Sequence, residues 1–454
     1  MADTDFNADI ESDVTERDLE FPQHSVATAD FMRSIGHVPH GGTIPPAEQL
    51  DWSSYDISDV EIWRRNAIWD RFAWLRKNDP VHYTPNSFFG PYWSITRHED
   101  IKAVDMNHQQ FSSKAELGGI TMLDMDDEFM MPMFIAMDPP QHTAPRKTIQ
   151  PIVAAENLRN YANIIRERTE FVLDGLPVDE PFDWVDKVSI ELTTMMLATL
   201  FDFPFEERRK LTRWSDVTMG RFDPEICPGG FEQWKTELLE CLQYFMGVWT
   251  ERSQSETPGN DLISLLAHGE ATRNMPSMEF LGNLLLLIVG GNDTTRSTMS
   301  GSVYAMNKFP DEFAKLKAKP ELLPSMVTEV IRWHTPLGYM RRTALEDVEL
   351  GGKTIRKGDK VIMWYVSGNH DDAVFEDPEA FRIERPDAKN HLSFGIGIHH
   401  CIGKRLAELQ LQILWEEILK RYDHVEMLAE PERLPNPFVR GFRKMMVRLH
   451  PRTA

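Results

Sequence analysis

The sequence has few cysteines and no long apolar run, and each shortage excludes a class of protein. Only Cys227, Cys241 and Cys401 occur among 454 residues. Because they are odd in number and form no CxxC pair, they disfavour a disulfide framework and predict a reducing, cytoplasmic location. The longest strongly apolar run, LLLLIV at 284–289, is too short to cross a bilayer, so no membrane span is expected.

Basic residues are also scarce. The chain has 49 lysines and arginines against 71 acidic residues, a net charge of -22, which argues against binding to nucleic acid or to anionic membranes. The start, MADTDFNADI, lacks the basic segment and apolar core of a signal peptide. Residues 1–50 hold ten acidic and two basic residues, so we expect residues 1–45 to form a flexible or loosely draped acidic arm.

The remainder, residues 46–454, has no internal repeat and no Pro/Gly/Ser-rich linker. Apolar residues recur every three or four positions through most of residues 150–335, which predicts helices, including one over 155–176. The clearest helix is expected to begin at Ser277 as its N-cap, with Glu279 in its first turn, and to end near Asn307 before a proline. Sequence patterns typical of β-strands occur at 92–96, at 348–365 and at 444–450, and the second of these contains a Gly-Gly turn that predicts a hairpin. The pattern predicts a single, mainly α domain with a small β region, an α+β fold.

One loop carries the chemistry. It reads F-G-x-G-x-H-x-C-x-G and contains Phe394, Gly395, Gly397, His399, Cys401 and Gly403. A strongly helical run follows, and a cysteine near a helix N-terminus is favoured as thiolate. Zinc is disfavoured because a structural site needs four ligands. A nucleophilic cysteine would need a separate histidine base, which stays open, whereas a thiolate bound to haem iron explains the glycines, the N–H donors and the helix together.

This loop resembles the haem signature F-x-x-G-x-x-x-C-x-G of the cytochrome P-450 mono-oxygenases. Other segments of the sequence also resemble motifs of this family, and they occur in the order that the family has. GGNDTTR at 290–296 is similar to the oxygen-activation motif, and EVIR, with Glu329 and Arg332, is similar to the E-x-x-R pair that a later arginine, Arg385 of PEAFRIER, completes. The resemblance implies the cytochrome P-450 fold, with haem between a long central helix and the cysteine loop.

The resemblance also implies roles for single residues. Cys401 would be the iron ligand of haem b, beside Phe394 and Gly395. Asp293 and Thr294 would relay protons, and Gly290 would leave room for haem and O2. The haem propionates would be bound by His142, Arg146, Arg342 and His399.

Several stretches, including GGITM at 118–122, look closest to the soluble bacterial alkane and fatty-acid terminal (omega) hydroxylases. That likeness implies oxidation of a hydrophobic small molecule at its terminal methyl group. The side chains expected to line the substrate pocket are Ile120, Met122, Phe134, Leu286, Leu337, Met340 and Phe438.

Electrons must come from another protein, because no flavin or iron–sulfur pattern is present. Family precedent implies a [2Fe–2S] ferredoxin and its NAD(P)H-dependent reductase, docking near His400, Lys404 and Arg405. Two alternatives remain open: a hydroxylase of terpenoids or steroid side chains, and a noncatalytic haem gas sensor.

Overall fold

The computed structural model describes Val38, residues 41–124 and residues 129–452. Most of the predicted acidic arm therefore lies outside the described residues. Its last part contacts the body of the protein: the Gly41 N–H donates to Glu61, and the carbonyl of Pro45 accepts from Arg71.

Helices are the main regular structure of the described chain, as the sequence predicts. They are α1 Val60–Arg64, α2 Trp69–Asn78, α3 His98–Met106, α4 Thr143–Ile149, α5 Ala155–Asp174, α6 Glu191–Phe201, α7 Arg209–Met219, α8 Gly230–Ser253, α9 Leu262–His268, α10 Ser277–Lys308, α11 Pro310–Ala318, α12 Leu323–His334, α13 Tyr365–Gly368 and α14 Lys404–Arg421. A π-helical turn, Val185–Ile190, leads directly into α6.

The strands are short. They are β1 Val81–Thr84, β2 Tyr92–Ile95, β3 Phe111–Ser112, β4 Phe182–Asp183, β5 Met340–Ala344, β6 Val348–Leu350, β7 Lys353–Ile355, β8 Lys360–Met363, β9 Tyr422–Met427, β10 Glu432–Arg433, β11 Phe442–Lys444 and β12 Met446–Pro451. The largest sheet has the order β1-β2-β8-β5-β3, in which only the β2–β8 pair is parallel. The α+β prediction is confirmed.

The hairpin prediction is also confirmed. Strands β6 and β7 pair antiparallel, with Leu350 opposite Lys353. The two residues between them, Gly351 and Gly352, have φ values of 59° and 75°, a left-handed conformation that glycine adopts without a steric penalty. The later part of the segment 348–365 forms β8, which joins the largest sheet instead of the hairpin.

Helix α10 is the central element. Its first half packs in an apolar cluster with α6, α7 and α8, and its second half packs in another cluster with α12, α14 and β12. The predicted N-cap at Ser277 is wrong, because Pro276 occupies that position and Ser277 is the first helical residue. At 1.5 Å per residue this helix is roughly 48 Å long, enough to pass through the whole domain.

A buried ion cluster joins α12 to the segment before the cysteine loop. Glu329 accepts from Arg332 Nε at 2.7 Å and from Arg385 Nε at 3.0 Å, and all three side chains are almost fully buried. Arg332 also donates to the carbonyl of Pro378 at 2.9 Å. The predicted contact of Arg385 with the Glu329–Arg332 pair is confirmed, and the cluster holds the chain leading to Cys401 against the helical core.

Candidate active site

The cysteine loop is closed by its own backbone. The Cys401 N–H donates to the Phe394 carbonyl at 2.8 Å. Gly395 and Gly397 have φ values of 62° and 70°, and a Cβ at Gly397 would lie 2.9 Å from the Asp105 carbonyl oxygen. Both glycines are therefore required by the turn. Cys401 has accessible surface, whereas the other two cysteines are buried.

The sulfur of Cys401 lies at the N-terminus of α14. The pKa of this thiol is raised, because desolvation of the sulfur outweighs the opposing effects. Those effects are hydrogen bonds from the backbone N–H groups of Gly403 and Lys404 and the positive charges of Arg146 and Lys404. These donors are the ones that a thiolate needs, and a metal cation at the sulfur would supply the remaining stabilisation.

Two histidines meet beside this loop. The rings of His142, just before α4, and His399 are edge to face with centroids 4.5 Å apart. Both ring nitrogens of His142 and Nδ1 of His399 are buried without a hydrogen-bond partner among the described residues. Unpartnered buried nitrogens are costly, so they indicate a polar group that the protein alone does not supply. The carboxylates of haem fit these donors.

Arg146 and Arg342, the two arginines predicted to bind propionates, already have hydrogen-bond partners in the protein. Arg146 donates to the His400 carbonyl and lies close enough to Cys401 for the two charges to interact. Arg342 is buried and donates to Asp105 Oδ1 at 2.7 Å. Asp105 also accepts from the Ile396 N–H at 3.0 Å, so it fixes Arg342 to the cysteine loop.

Helix α10 presents an accessible strip near its middle. Leu286 and Thr294 are half-buried and Gly290 is exposed, and these three residues lie four positions apart on one face. A Cβ at Gly290 would meet no atom within 4 Å. The Thr294 hydroxyl donates to the Gly290 carbonyl at 3.1 Å. The strip has the space that a flat ligand requires.

Asp293 is directed to the other side of α10. Its Oδ1 accepts from Ser215 Oγ at 3.0 Å, Asn292 Nδ2 at 3.1 Å and Arg296 Nη2 at 2.9 Å. Arg296 also donates to Asp216 of α7 at 2.9 Å. The two predicted catalytic side chains are therefore not hydrogen-bonded to each other, and a proton passing between them needs a water or a new Asp293 rotamer.

Burial sets the acidity of Asp293. It raises the pKa of this carboxyl to about 6, while the nearby charge of Arg296 acts in the opposite direction and that of Asp216 adds to the rise. A carboxyl that titrates near neutral pH can both accept and release a proton, which suits a relay.

Six of the seven predicted pocket residues belong to three apolar clusters, and Ile120 belongs to none of these three. Phe134 and Leu286 belong to the cluster around the first half of α10. Met122 and Phe438 pack near Tyr339, and Met122 has no exposed surface. The remaining three, Ile120, Leu337 and Met340, are half-buried.

Backbone pairing joins the segments that carry these side chains. Leu337 forms an isolated antiparallel bridge with Val439, next to Phe438. The Arg341 N–H donates to the Ile120 carbonyl at 2.9 Å. Three distant stretches of sequence therefore meet beside β5.

Near the cysteine, Arg405 is exposed, Lys404 is half-buried with its Nζ 5.5 Å from the Phe394 ring, and the His400 carbonyl binds Arg146. Arg405 is therefore the most accessible of these three residues, and the docking patch stays a prediction.

Some site residues escaped sequence reasoning. Arg296 lies three positions after Asp293, the same helical spacing that singled out Glu329 and Arg332, and that spacing could have revealed it. Asp105 and Ser113 belong to no motif, and only the fold brings them to the cysteine loop.

Comparison with known proteins places these features in context. The sequence profile of cytochrome P450 matches residues 240–448. Linalool 8-monooxygenase of Pseudomonas putida is 34% identical over 87% of this chain and 99% of its own, and a steroid C26-monooxygenase of Mycolicibacterium smegmatis is 31% identical over 87% and 93%.

Two solved structures of cytochromes P450 are also similar to this chain. Cytochrome P450-153 from Novosphingobium aromaticivorans is 45% identical with a TM-score of 0.81, covering 88% of this chain and 99% of that one. CYP153D17 from a Sphingomonas species is 46% identical with a TM-score of 0.81, covering 87% and 98%.

Proposed function

The chain belongs to the cytochrome P450 family, and from that premise we propose that it hydroxylates the terminal methyl group of medium-chain linear alkanes or fatty acids. As a family member it is a haem b mono-oxygenase, an enzyme that inserts one atom of O2 into substrate. We further propose that its electrons come from a [2Fe–2S] ferredoxin with its NAD(P)H-dependent reductase.

The residues of the site have separate tasks in this scheme. Cys401 would hold the iron, and His142, Arg146, Arg342 and His399 would bind the propionates. Haem supplies the activation of O2 when it is bound through a thiolate.

The acid and the hydroxyl of α10 act on protons. Asp293 exchanges protons with the α7 side of the helix, where Ser215 and Asp216 lie, and Thr294 holds a hydroxyl on the accessible strip. The apolar side chains around the strip would limit the entry of bulk water.

The observation that carries the substrate assignment is the chemistry of the predicted lining. None of its seven side chains is charged, and the one hydroxyl on the accessible strip, that of Thr294, is bonded to its own helix. Such a surface has no group with which to recognise a polar substituent, so it favours an alkane or the unsubstituted hydrocarbon end of a fatty acid. Because a primary C–H bond is stronger than a secondary one, terminal attack also requires that the chain be prevented from bending.

A second candidate is hydroxylation of terpenoids or steroid side chains. The names of two relatives, a linalool 8-monooxygenase and a steroid C26-monooxygenase, favour it. Both candidates require the same haem site and differ only in the shape of the pocket.

Product analysis separates them. The purified enzyme, with a ferredoxin, its reductase and NADH, is incubated with octane, dodecanoic acid or linalool, and the products are identified by gas chromatography. We expect 1-octanol and 12-hydroxydodecanoic acid as main products. Turnover of linalool alone would reject the linear-chain assignment, and absence of any oxygenated product with NADH consumption near background would favour the gas-sensor alternative.

A further inference from the structure

We propose that Ser113 is a positioning residue for the cofactor: its hydroxyl orients the His399 ring so that Nδ1 is left to donate to a haem propionate. The inference rests on the proposed haem site and adds a residue that no part of the motif pattern contains. Ser113 immediately follows β3 and is fully buried.

The contacts of the hydroxyl favour the histidine. Ser113 Oγ lies 2.9 Å from His399 Nε2, whereas the two other acceptors, the Met137 carbonyl and Asp138 Oδ1, lie at 3.2 and 3.3 Å. The Asp138 carboxylate already accepts from the Ser113 N–H and from Ser112 Oγ, and a carboxylate at Nδ1 of His399 favours the ring tautomer whose Nε2 accepts the hydroxyl proton. Nδ1 of His399 is buried and has no partner among the described residues.

Asp138 holds this arrangement in place. Its carboxylate accepts from the Ser113 N–H at 3.1 Å and from Ser112 Oγ at 2.6 Å. Its backbone carbonyl accepts from the His142 N–H at 3.0 Å. One aspartate therefore ties the segment bearing Ser113 to the start of the helix whose histidine packs against His399.

The chemistry follows from the two nitrogens of an imidazole. A hydroxyl that gives its proton to Nε2 leaves the N–H at Nδ1, which then donates to a carboxylate. When that hydroxyl is absent, nothing holds Nε2, and the ring can turn or present an unprotonated Nδ1, which repels a carboxylate.

Haem retention tests the inference without any substrate. The rate of haem transfer to excess apomyoglobin is measured for the wild type and for Ser113→Ala, Ser113→Thr and Ser112→Ala. We expect Ser113→Ala to release haem about tenfold faster, the effect of losing one hydrogen bond to a charged group. Ser113→Thr keeps the hydroxyl, and Ser112→Ala alters the same aspartate contact without touching His399, so both should stay within about twofold.

Two further measurements sharpen the test. The reduction potential of the iron should fall in Ser113→Ala, because a less compensated propionate favours the ferric state. In a double-mutant cycle, His399→Phe should release haem as fast as Ser113→Ala/His399→Phe, since both changes remove one interaction.

Equal effects of the two serine variants, or additive effects in the cycle, would overturn the inference and leave only a packing role for Ser113. Failure of the wild type to hold haem would instead overturn the proposed function.

Discussion

At the scale of single residues, the site depends on groups whose ionisation is set by burial. Asp293 is the clearest case, because its carboxyl is buried between α7 and α10 and is still paired with Arg296. The side chain that is expected to move protons is therefore also one that costs stability when charged.

This cost predicts a pH dependence. The pKa of Asp293 is raised from 3.8 to about 6 by burial. The folded state thus binds the proton more tightly than the unfolded state, and the contribution of this group to stability is present below pH 4 and lost as the pH rises through about 6. Asp293→Asn cannot titrate, so its melting temperature relative to wild type should improve between pH 4 and pH 7.

Thr294→Ala serves as the control, because Thr294 bonds only its own helix through its side chain. Its melting temperature should follow that of the wild type at a constant offset. A constant offset for Asp293→Asn as well would show that Asp293 titrates normally in the folded protein.

At the scale of elements, α10 combines close packing on one side with open space on the other. Two adjacent glycines, Gly290 and Gly291, lie on these two sides of the helix. A Cβ at Gly291 would lie 2.8 Å from Leu197 Cδ2 of α6, whereas a Cβ at Gly290 would meet nothing within 4 Å.

Two alanine substitutions should therefore act oppositely on stability. Gly290→Ala should raise the free energy of unfolding of the haem-free protein by about 1 kcal/mol through helix propensity, and lower turnover of the loaded enzyme by narrowing the strip. Gly291→Ala should lower the free energy of unfolding by up to about 2 kcal/mol, because an overpacking cost of about 1–3 kcal/mol outweighs the same gain in helix propensity. Urea unfolding of both variants measures this, and equal destabilisation would mean that Gly290 is also a packing residue.

These glycines illustrate what sequence reasoning could reach. Spacing alone placed α10, the loop at Cys401 and the turn at Gly351, because each depends on local rules of helix periodicity, helix termini and positive φ. It could not separate Gly290 from Gly291, since the difference lies in α6, which is about ninety residues away in sequence. The same holds for Asp105 and Ser113, whose partners in the cysteine loop are nearly three hundred residues further along.

The N-cap at Ser277 failed for a different reason. Serine is the commoner cap, but the residue before it, Pro276, already has the extended backbone that ends the preceding loop. A local preference was overridden by the neighbouring residue.

At the scale of the whole molecule, the question is how electrons reach the site. None of the helices in the described part of the chain is long and apolar enough to cross a membrane. The net charge is strongly negative, so the docking surface that we propose for a ferredoxin depends on a local excess of positive charge near Cys401.

Charge reversal at Arg405 tests this. We expect Arg405→Glu to raise the KM for ferredoxin about fivefold at low salt with little change in kcat, because electrostatic complementarity mainly affects encounter. The control is Arg356→Glu, an exposed arginine next to the separate β6–β7 sheet. Steady-state assays at two ionic strengths measure both, and an equal rise in KM for the two variants would place the docking surface elsewhere.

The central claim is that the sulfur of Cys401 binds haem iron as a thiolate. The most direct test is the absorption spectrum of the reduced, carbon-monoxide-treated protein, recorded for the wild type and for Cys401→Ala. A thiolate predicts a Soret band moved strongly to longer wavelength in the wild type and lost in the variant. The same band in both proteins would contradict the account.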